Sequence, residues 1–241
     1  MGGGPRKTTG WLHKAGLRLP RTFETPHDIR SLTIVTLSGA KGGRGYFLAN
    51  SPEPFRQKAA DMKQRGRLTD NDVKNVHLQE YVVGVNAYPH YFRSILDDEV
   101  EFLGVDKRYE SAIDALGKIP ASEQLQLDIN PTYTIVGNLL LTLRESLLPE
   151  LLEMGDRVVA ASTEIAAPGI VGPFCLETVV TDDLQIYTFE ISARIVGGTN
   201  VGIGTLPYAY LQYGETMWMG KRIAREARRA IQHARLEDVA Y

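Results

Sequence analysis

The sequence predicts a mixed α+β protein. Three observations carry that reading: β-branched runs of strand length at 32–37, 76–83 and 174–180, longer stretches of helical apolar spacing at 52–66 and 145–165, and no regular strand–helix alternation of the kind that builds a doubly wound sheet. The chain has 241 residues, 43% apolar and 23% charged, enough to bury a substantial core. Lys and Arg number 27 against 29 Asp and Glu, a formal charge of -2, so a wholesale nucleic-acid coat is excluded and no nucleic-acid partner is expected. Cys175 is the sole cysteine, which excludes an intramolecular disulfide and a thiolate metal cluster built from this chain. No signal-peptide core and no run of about 18 apolar residues is present, so a cytoplasmic protein without membrane attachment is expected.

Taken in order, residues 1–10, with Gly2-Gly3-Gly4-Pro5, read as a flexible leader. Trp11, Leu12 and Ala15 lie at helical spacing and stop at Gly16, a short helix with a glycine cap. Strands are expected at 32–37 and 46–49, joined by the Gly-rich loop 38–45. Ser51 as N-cap and Pro52 at the first helical position open a helix carrying Phe55, Ala59 and Met62, which ends at Gly66. Strands follow at 76–83 and on to Val105, with a turn at Asp97-Asp98, whereas 107–131 reads as loop with short elements. A strand at 133–143 precedes a helix at 145–165 whose Leu148, Leu151, Leu152, Val158 and Val159 make a broad apolar face. The clearest hairpin joins 174–180 to 186–195, and a basic helix at 216–235 presents its 221–229 charges as a solvated face.

The strongest local constellation is Glu177 with Glu190. With the hairpin loop at 182–185, these two carboxylates fall directly opposite each other. Opposed residues have Cβ atoms about 4.5–5.5 Å apart, and like charges so placed destabilise a hairpin unless compensated. A divalent cation that takes oxygen ligands compensates them, and magnesium with a nucleotide fits better than zinc; a solvated face with an adjusted register is the bland alternative. By the period of two, Glu190, Ser192 and Arg194 share one face, and Arg194 offers a planar cationic fork for a phosphate or carboxylate. The loop Gly39-Ala40-Lys41-Gly42-Gly43-Arg44-Gly45 combines permissive backbone with two cations suited to phosphate oxygens. It is not a P-loop, because no Ser or Thr follows the Lys and the next element is a strand. His90, in an aromatic strand context, reads as a packed core histidine.

The segments GAKGGRGYF (39–47), QEYVVG (79–84), GVDKRYESAI (104–113), RESLLP (144–149), GPFCLE (172–177) and EISARIVGGTN (190–200) resemble the ATP-grasp superfamily. Within it the chain is similar to the archaeal formate-dependent ligases of purine synthesis. The resemblance spans nearly the whole chain and implies an ATP-grasp fold, two α+β subdomains clamping ATP. The lid subdomain would lie at about 30–85 and the carboxylate subdomain at about 86–241. It implies that Lys41, Gly42, Gly43, Arg44 and Gly45 close over the ATP phosphates, that Gln79, Glu80 and Val82 meet the adenine, and that Glu110 lines the nucleotide site. Glu177 and Glu190 would be the magnesium (or manganese) carboxylates, Asn138 a contact to the aminoimidazole nucleotide, and Arg194, with Lys41, the groups facing the phosphoryl in flight. The implied reaction transfers phosphoryl from ATP to formate, giving formyl phosphate, which the amine of aminoimidazole carboxamide ribonucleotide attacks. Self-association is implied as well. The resemblance also places a phosphate-binding Lys at position 36, where this chain has Thr36, and an upstream domain before residue 1; a truncated gene, a diverged paralogue or a chain completed by a second polypeptide all fit. A catalytically silent nucleotide-binding or assembly module, or an ATP-grasp ligase for another carboxylate–amine pair, also accommodates these residues.

Overall fold

The computed structural model describes residues 5–41, 44–111, 113–124, 132, 134–201 and 206–240. In chain order its principal elements are α1 (Pro5–Lys14), β1 (Thr22–Phe23), β2 (Thr33–Lys41), β3 (Arg44–Ala49), α2 (Pro52–Gln64), α3 (Asp70–Lys74), β4 (His77–Glu80), β5 (Val85–Ser94), β6 (Glu99–Glu110), α4 (Ile113–Leu116), α5 (Ala121–Gln124), β7 (Ile135–Leu141), α6 (Leu148–Ile165), β8 (Gly172–Val180), β9 (Ile186–Ser192), α7 (Pro207–Tyr213) and α8 (Met219–Gln232). The strands form one sheet in the order β1-β4-β2-β3 and a second in the order β7-β6-β5-β8-β9. The class is α+β, as the irregular interleaving of strands and helices predicts.

Contacts divide the chain into two units, Met1–Leu19, Gly84–Arg108 and Asn138–Tyr241 in one, Pro20–Val83 and Tyr109–Gly137 in the other. The expected division at about residue 85 therefore differs in two places. Residues 109–137 group with the smaller unit, where the Ser111 N–H donates to the Thr134 carbonyl and closes the segment on itself, and the N-terminal helix groups with the larger one.

In the smaller unit, alternation along β2 and β3 sends Val35, Leu37 and Phe47 inward against Phe55 and Ala59 of α2. The Phe47 and Phe55 rings meet at 5.6 Å between centroids. Ser51 and Pro52 start α2 as the sequence predicts, and Gly66 follows its end with φ +67, a conformation that favours glycine.

The larger unit builds its core from the helical stripe Leu151, Met154 and Val158 of α6 packed on Tyr91, Phe174, Leu176, Ile186 and Ile191 of the second sheet. Burying each such side chain stabilises by about 1.5–3 kcal/mol. Tyr91 stacks on Phe174 at 4.9 Å, and its hydroxyl donates to the Leu151 carbonyl at 2.7 Å. Leu12 and Ala15 join this core, and that anchorage explains a correction: α1 begins at Pro5, so residues 5–10 belong to a helix instead of a leader. Proline suits a first helical position because it lacks only an N–H that would be unpaired there, and tertiary packing of Leu12 and Ala15 propagates the turn backwards over Thr8-Thr9-Gly10.

The basic helix also departs from expectation. Arg222 of α8 is 1% exposed, and its guanidinium donates to both oxygens of Glu101 at 2.7 Å and to Glu226 at 2.8 Å. One charge of the expected solvated face is thus a buried tie between α8 and β6. No helix among the described residues is long and apolar enough to cross a membrane.

Candidate functional site

The β8–β9 hairpin places Glu177 opposite Glu190, with Leu176 opposite Ile191 and Cys175 opposite Ser192. The predicted pair is therefore formed, but by a different route. The loop runs one residue longer than expected, Thr181 closing onto Gln185 by a backbone bond of 3.0 Å, so the register starts as Val180 with Ile186. A bulge between Glu177 and Thr178 takes up the extra residue, Phe189, and restores the alignment beyond it. It also turns Phe189 toward Tyr88, Cys175 and Val196, whereas Ile191 enters the main core; the two were expected on one face.

Opposed residues of an antiparallel pair share a face, as do alternate residues along a strand. Tyr88 pairs with Asp106, and His90 with Gly104 and Cys175. One face of the second sheet thus carries Asp106 and Arg108 of β6, Tyr88 and His90 of β5, Cys175 and Glu177 of β8, and Glu190 and Ser192 of β9. Arg108 is its electrostatic centre. Its Nη1 donates to Glu177 Oε2 at 3.1 Å, and its guanidinium lies 3.7 Å from the centroid of the Tyr88 ring. The two side chains are only 10% and 12% exposed. Withdrawal of its carboxyl from water, and then the neighbouring Glu177 charge, raises the pKa of Glu190, opposed by Arg108 and Arg194. Burial would lower that of Arg108, but Glu177 foremost among its neighbours raises it on balance. Burial pushes the Cys175 thiol well up, which disfavours a thiolate nucleophile.

Strand β9 ends at Ser192, so Arg194 stands in the loop beyond it and not on the strand face. It is exposed, and its Nη1 donates to the Ile195 carbonyl at 2.7 Å. The far end of that loop is tied to β6: Asp106, 1% exposed, accepts from the Thr199 N–H at 2.8 Å and from the Thr199 hydroxyl, and His90 Nε2 lies 3.3 Å from it. Burial raises the Asp106 pKa, but hydrogen bonds from His90 and Thr199 outweigh it and lower the value. His90 is 1% exposed, in keeping with the packed histidine expected.

In the smaller unit, β2 and β3 pair from Thr33 with Ala49 to Lys41 with Arg44, with an irregularity between Thr36 and Lys41. Gly42 and Gly43 lie outside the described residues, and of Lys41 and Arg44 only the backbone is described. Gly45 takes φ +86. Thr36 sits between Tyr46 and His77 on the neighbouring strands. Gln79 and Glu80 end β4, half-buried; the Glu80 carboxylate accepts from the Arg21 N–H at 3.3 Å. Val82 follows, half-buried, in the loop. Glu110 is 9% exposed, with its backbone N–H donating to the Asp114 carboxylate. In the larger unit, Asn138 is half-buried on β7, and its buried side-chain oxygen has no hydrogen-bond partner among the described residues.

Among the described residues no group of three or more His, Cys, Asp or Glu is arranged to hold a metal. Two opposed carboxylates with oxygen donors alone match magnesium, which completes its shell with water and phosphate oxygens. Arg108 and Asp106 were not singled out from sequence. The signal was present in the segment GVDKRYESAI, whose alternation puts both on one strand face, but their partners lie 69 and 93 positions away.

A family model described as a domain of unknown function (DUF1297) matches residues 54–240. The chain is 53% identical over 221 residues to a 5-formaminoimidazole-4-carboxamide-1-(beta)-D-ribofuranosyl 5'-monophosphate synthetase from Methanocaldococcus jannaschii, covering 92% of this chain and 61% of that relative. To the protein of the same name from Pyrococcus horikoshii it is 54% identical over 229 residues, covering 95% of this chain and 68% of that one. The solved IMP biosynthesis protein PurP from Thermococcus kodakaraensis superposes with a TM-score of 0.71 at 30% identity, over 97% of this chain and 67% of the other. An N5-carboxyaminoimidazole synthetase from Staphylococcus aureus, complexed with ADP, shares the fold at 13% identity and a TM-score of 0.53, over 80% of this chain and 44% of the other.

Proposed function

We propose, on the premise that this chain belongs to the DUF1297 family and to the formaminoimidazole-carboxamide ribonucleotide synthetases of the ATP-grasp fold, that it is the nucleotide-binding part of an ATP- and formate-dependent carbon–nitrogen ligase of purine biosynthesis. The chain spans 61% of the length of the Methanocaldococcus jannaschii relative. The observation that carries the reading is the register pair Glu177–Glu190 on the same sheet face as Arg108.

In this reading ATP phosphorylates formate, and the amine of the aminoimidazole carboxamide nucleotide attacks the resulting formyl phosphate and displaces phosphate. No protein nucleophile is required, in line with the raised Cys175 thiol. The protein positions groups and stabilises charge. Glu177 and Glu190 would hold magnesium, whose charge would offset that of the phosphates. Lys41 to Gly45 cover the phosphates, Gln79, Glu80 and Val82 meet the adenine, and Glu110 lines the nucleotide pocket. Asn138 contacts the aminoimidazole, to which its side-chain oxygen, without a partner among the described residues, offers an acceptor. Arg194, exposed in the loop after β9 with its Nη1 on the Ile195 carbonyl, faces the transferring phosphoryl group.

The test is ADP release measured with formate and the aminoimidazole nucleotide present together and each omitted, alongside magnesium-dependent ATP binding in Glu190→Gln. The expected outcome is ADP formation that needs both substrates, and ATP binding weakened about 10-fold or more in a variant that still unfolds cooperatively. Unchanged magnesium-dependent affinity in Glu190→Gln would remove the metal assignment.

A further inference from the structure

We propose that Arg108 is a counter-ion that a bound polyphosphate takes over from Glu177, so that divalent cation and nucleotide bind this chain as a coupled pair. The inference rests on the nucleotide-binding reading above and adds a residue and an order of events to it.

Glu177 and Glu190 face each other across the hairpin, and Arg108 is bonded to Glu177 at 3.1 Å, with both partners about nine-tenths buried. The guanidinium neutralises one of two carboxylates that a divalent cation would need. A magnesium ion lies about 2.0–2.1 Å from its oxygen ligands, so a cation on Glu177 would stand about 5 Å or less from the Arg108 guanidinium. That like-charge contact opposes binding of the metal by itself, in a partly buried setting where screening is weak.

A nucleotide changes the balance. Phosphate oxygens that share the cation with Glu177 come within about 4 Å of its carboxylate oxygens, since each lies one metal–oxygen bond from the ion. Arg108 already reaches an oxygen at that place. Phosphate is the anion whose geometry a guanidinium fork matches best, so the fork exchanges a carboxylate for phosphate while keeping its hydrogen bonds paired. The Tyr88 ring, 3.7 Å from the guanidinium, holds the cation's plane through the exchange, so little side-chain motion is needed. Once Arg108 serves the phosphate, both carboxylates are left to the metal. Metal then strengthens nucleotide binding and nucleotide strengthens metal binding by one factor, as linkage requires.

The experiment titrates manganese, a paramagnetic stand-in for magnesium, by electron paramagnetic resonance, with and without a non-hydrolysable ATP analogue, in the wild-type chain, Arg108→Met and Arg108→Lys. Analogue affinity is measured in parallel by calorimetry. In the wild type, the analogue should tighten manganese binding by about 10-fold or more. Arg108→Met should bind manganese alone several-fold more tightly, bind the analogue about 10-fold more weakly, and lose most of the coupling. Arg108→Lys keeps the charge without the fork, so it should match wild-type manganese affinity while binding the analogue more weakly; it decides the matter where Arg108→Met fails to unfold cooperatively. Wild-type coupling retained in the variants overturns this inference and leaves the nucleotide-binding reading intact. A wild-type chain that binds no analogue even with manganese overturns both.

Discussion

Gly198 has no room for a methyl group. A Cβ at this position would lie 2.2 Å from Asp106 Oδ2 and 2.9 Å from Asn200 Oδ1. Asp106 cannot retreat cheaply, because it is 1% exposed and holds the Thr199 N–H at 2.8 Å. Gly198→Ala therefore pushes Asp106 off Thr199 and loosens the loop that carries Arg194, at a cost of about 1–3 kcal/mol. A lower urea midpoint at unchanged slope would register this, and an undiminished midpoint would contradict it. This constraint was invisible in the sequence, where Gly197-Gly198 gives no sign of the distant Asp106. Glu177 and Glu190 were legible because two offsets cancel: the turn is one residue longer than its spacing suggests, and the bulge at Phe189 restores the alignment beyond it. Arg108 was not, because nothing in its own strand says that Glu177, 69 positions away, lies within reach.

At the level of elements, the sequence located the β8–β9 hairpin but misjudged its turn by one residue, and the bulge at Phe189 absorbed the error before it reached Glu190. Bulges leave no local signature stronger than ordinary β propensity, so such compensation is read only from the paired backbone. The last helix shows the opposite case. Its amphipathic spacing was plain, but a spacing rule cannot tell which arginine is buried, and Arg222 is paired with Glu101 of another element. A second tie joins α8 to the β5–β6 turn: Arg229 Nη2 donates to Asp97 Oδ1 at 2.6 Å, with side chains 34% and 33% exposed. The Arg229 hydrogen bond, helped by Ser94 and opposed by burial, lowers the Asp97 pKa from 3.8 to about 2. A depressed carboxylate stabilises the fold above its unfolded pKa and loses that contribution as the pH falls through the folded value. After allowance for solvent screening the tie contributes about 1 kcal/mol near neutrality. Arg229→Met should thus melt below wild type at pH 6, with the gap shrinking under about pH 4 and closing near pH 2. A gap that stays constant over that range would rule out the ion pair as its source.

The whole molecule consists of two units that each hold a core of their own, Val35, Phe47, Phe55 and Leu78 in one and Tyr91, Leu151, Val158 and Phe174 in the other. Composition and pattern predicted the α+β class, but no local pattern shows that 109–137 returns to the smaller unit, because that grouping depends on contacts between residues distant in sequence. The candidate residues are distributed over both: Gln79, Glu80 and Glu110 in the smaller unit, Arg108, Glu177, Glu190 and Arg194 in the larger. A ligand that engages the folded chain and not the unfolded one raises stability by mass action, whichever unit unfolds first. Magnesium with ATP at about 100 times its dissociation constant adds about 2.7 kcal/mol. For a chain of this size about 2–4 °C accompanies each kcal/mol, so the melting temperature should rise by about 5–10 °C. The rise should need magnesium and ATP together, because phosphate oxygens share the cation with the two carboxylates, and without the cation the polyphosphate charge meets Glu177 and Glu190 with Arg108 bonded to Glu177. In Glu190→Gln the shift should fall to a small fraction of that range. A cooperatively unfolding wild-type chain whose melting temperature ignores magnesium–ATP would sink the nucleotide site, while a full shift preserved in Glu190→Gln would keep the nucleotide and dismiss the carboxylate pair as its metal seat.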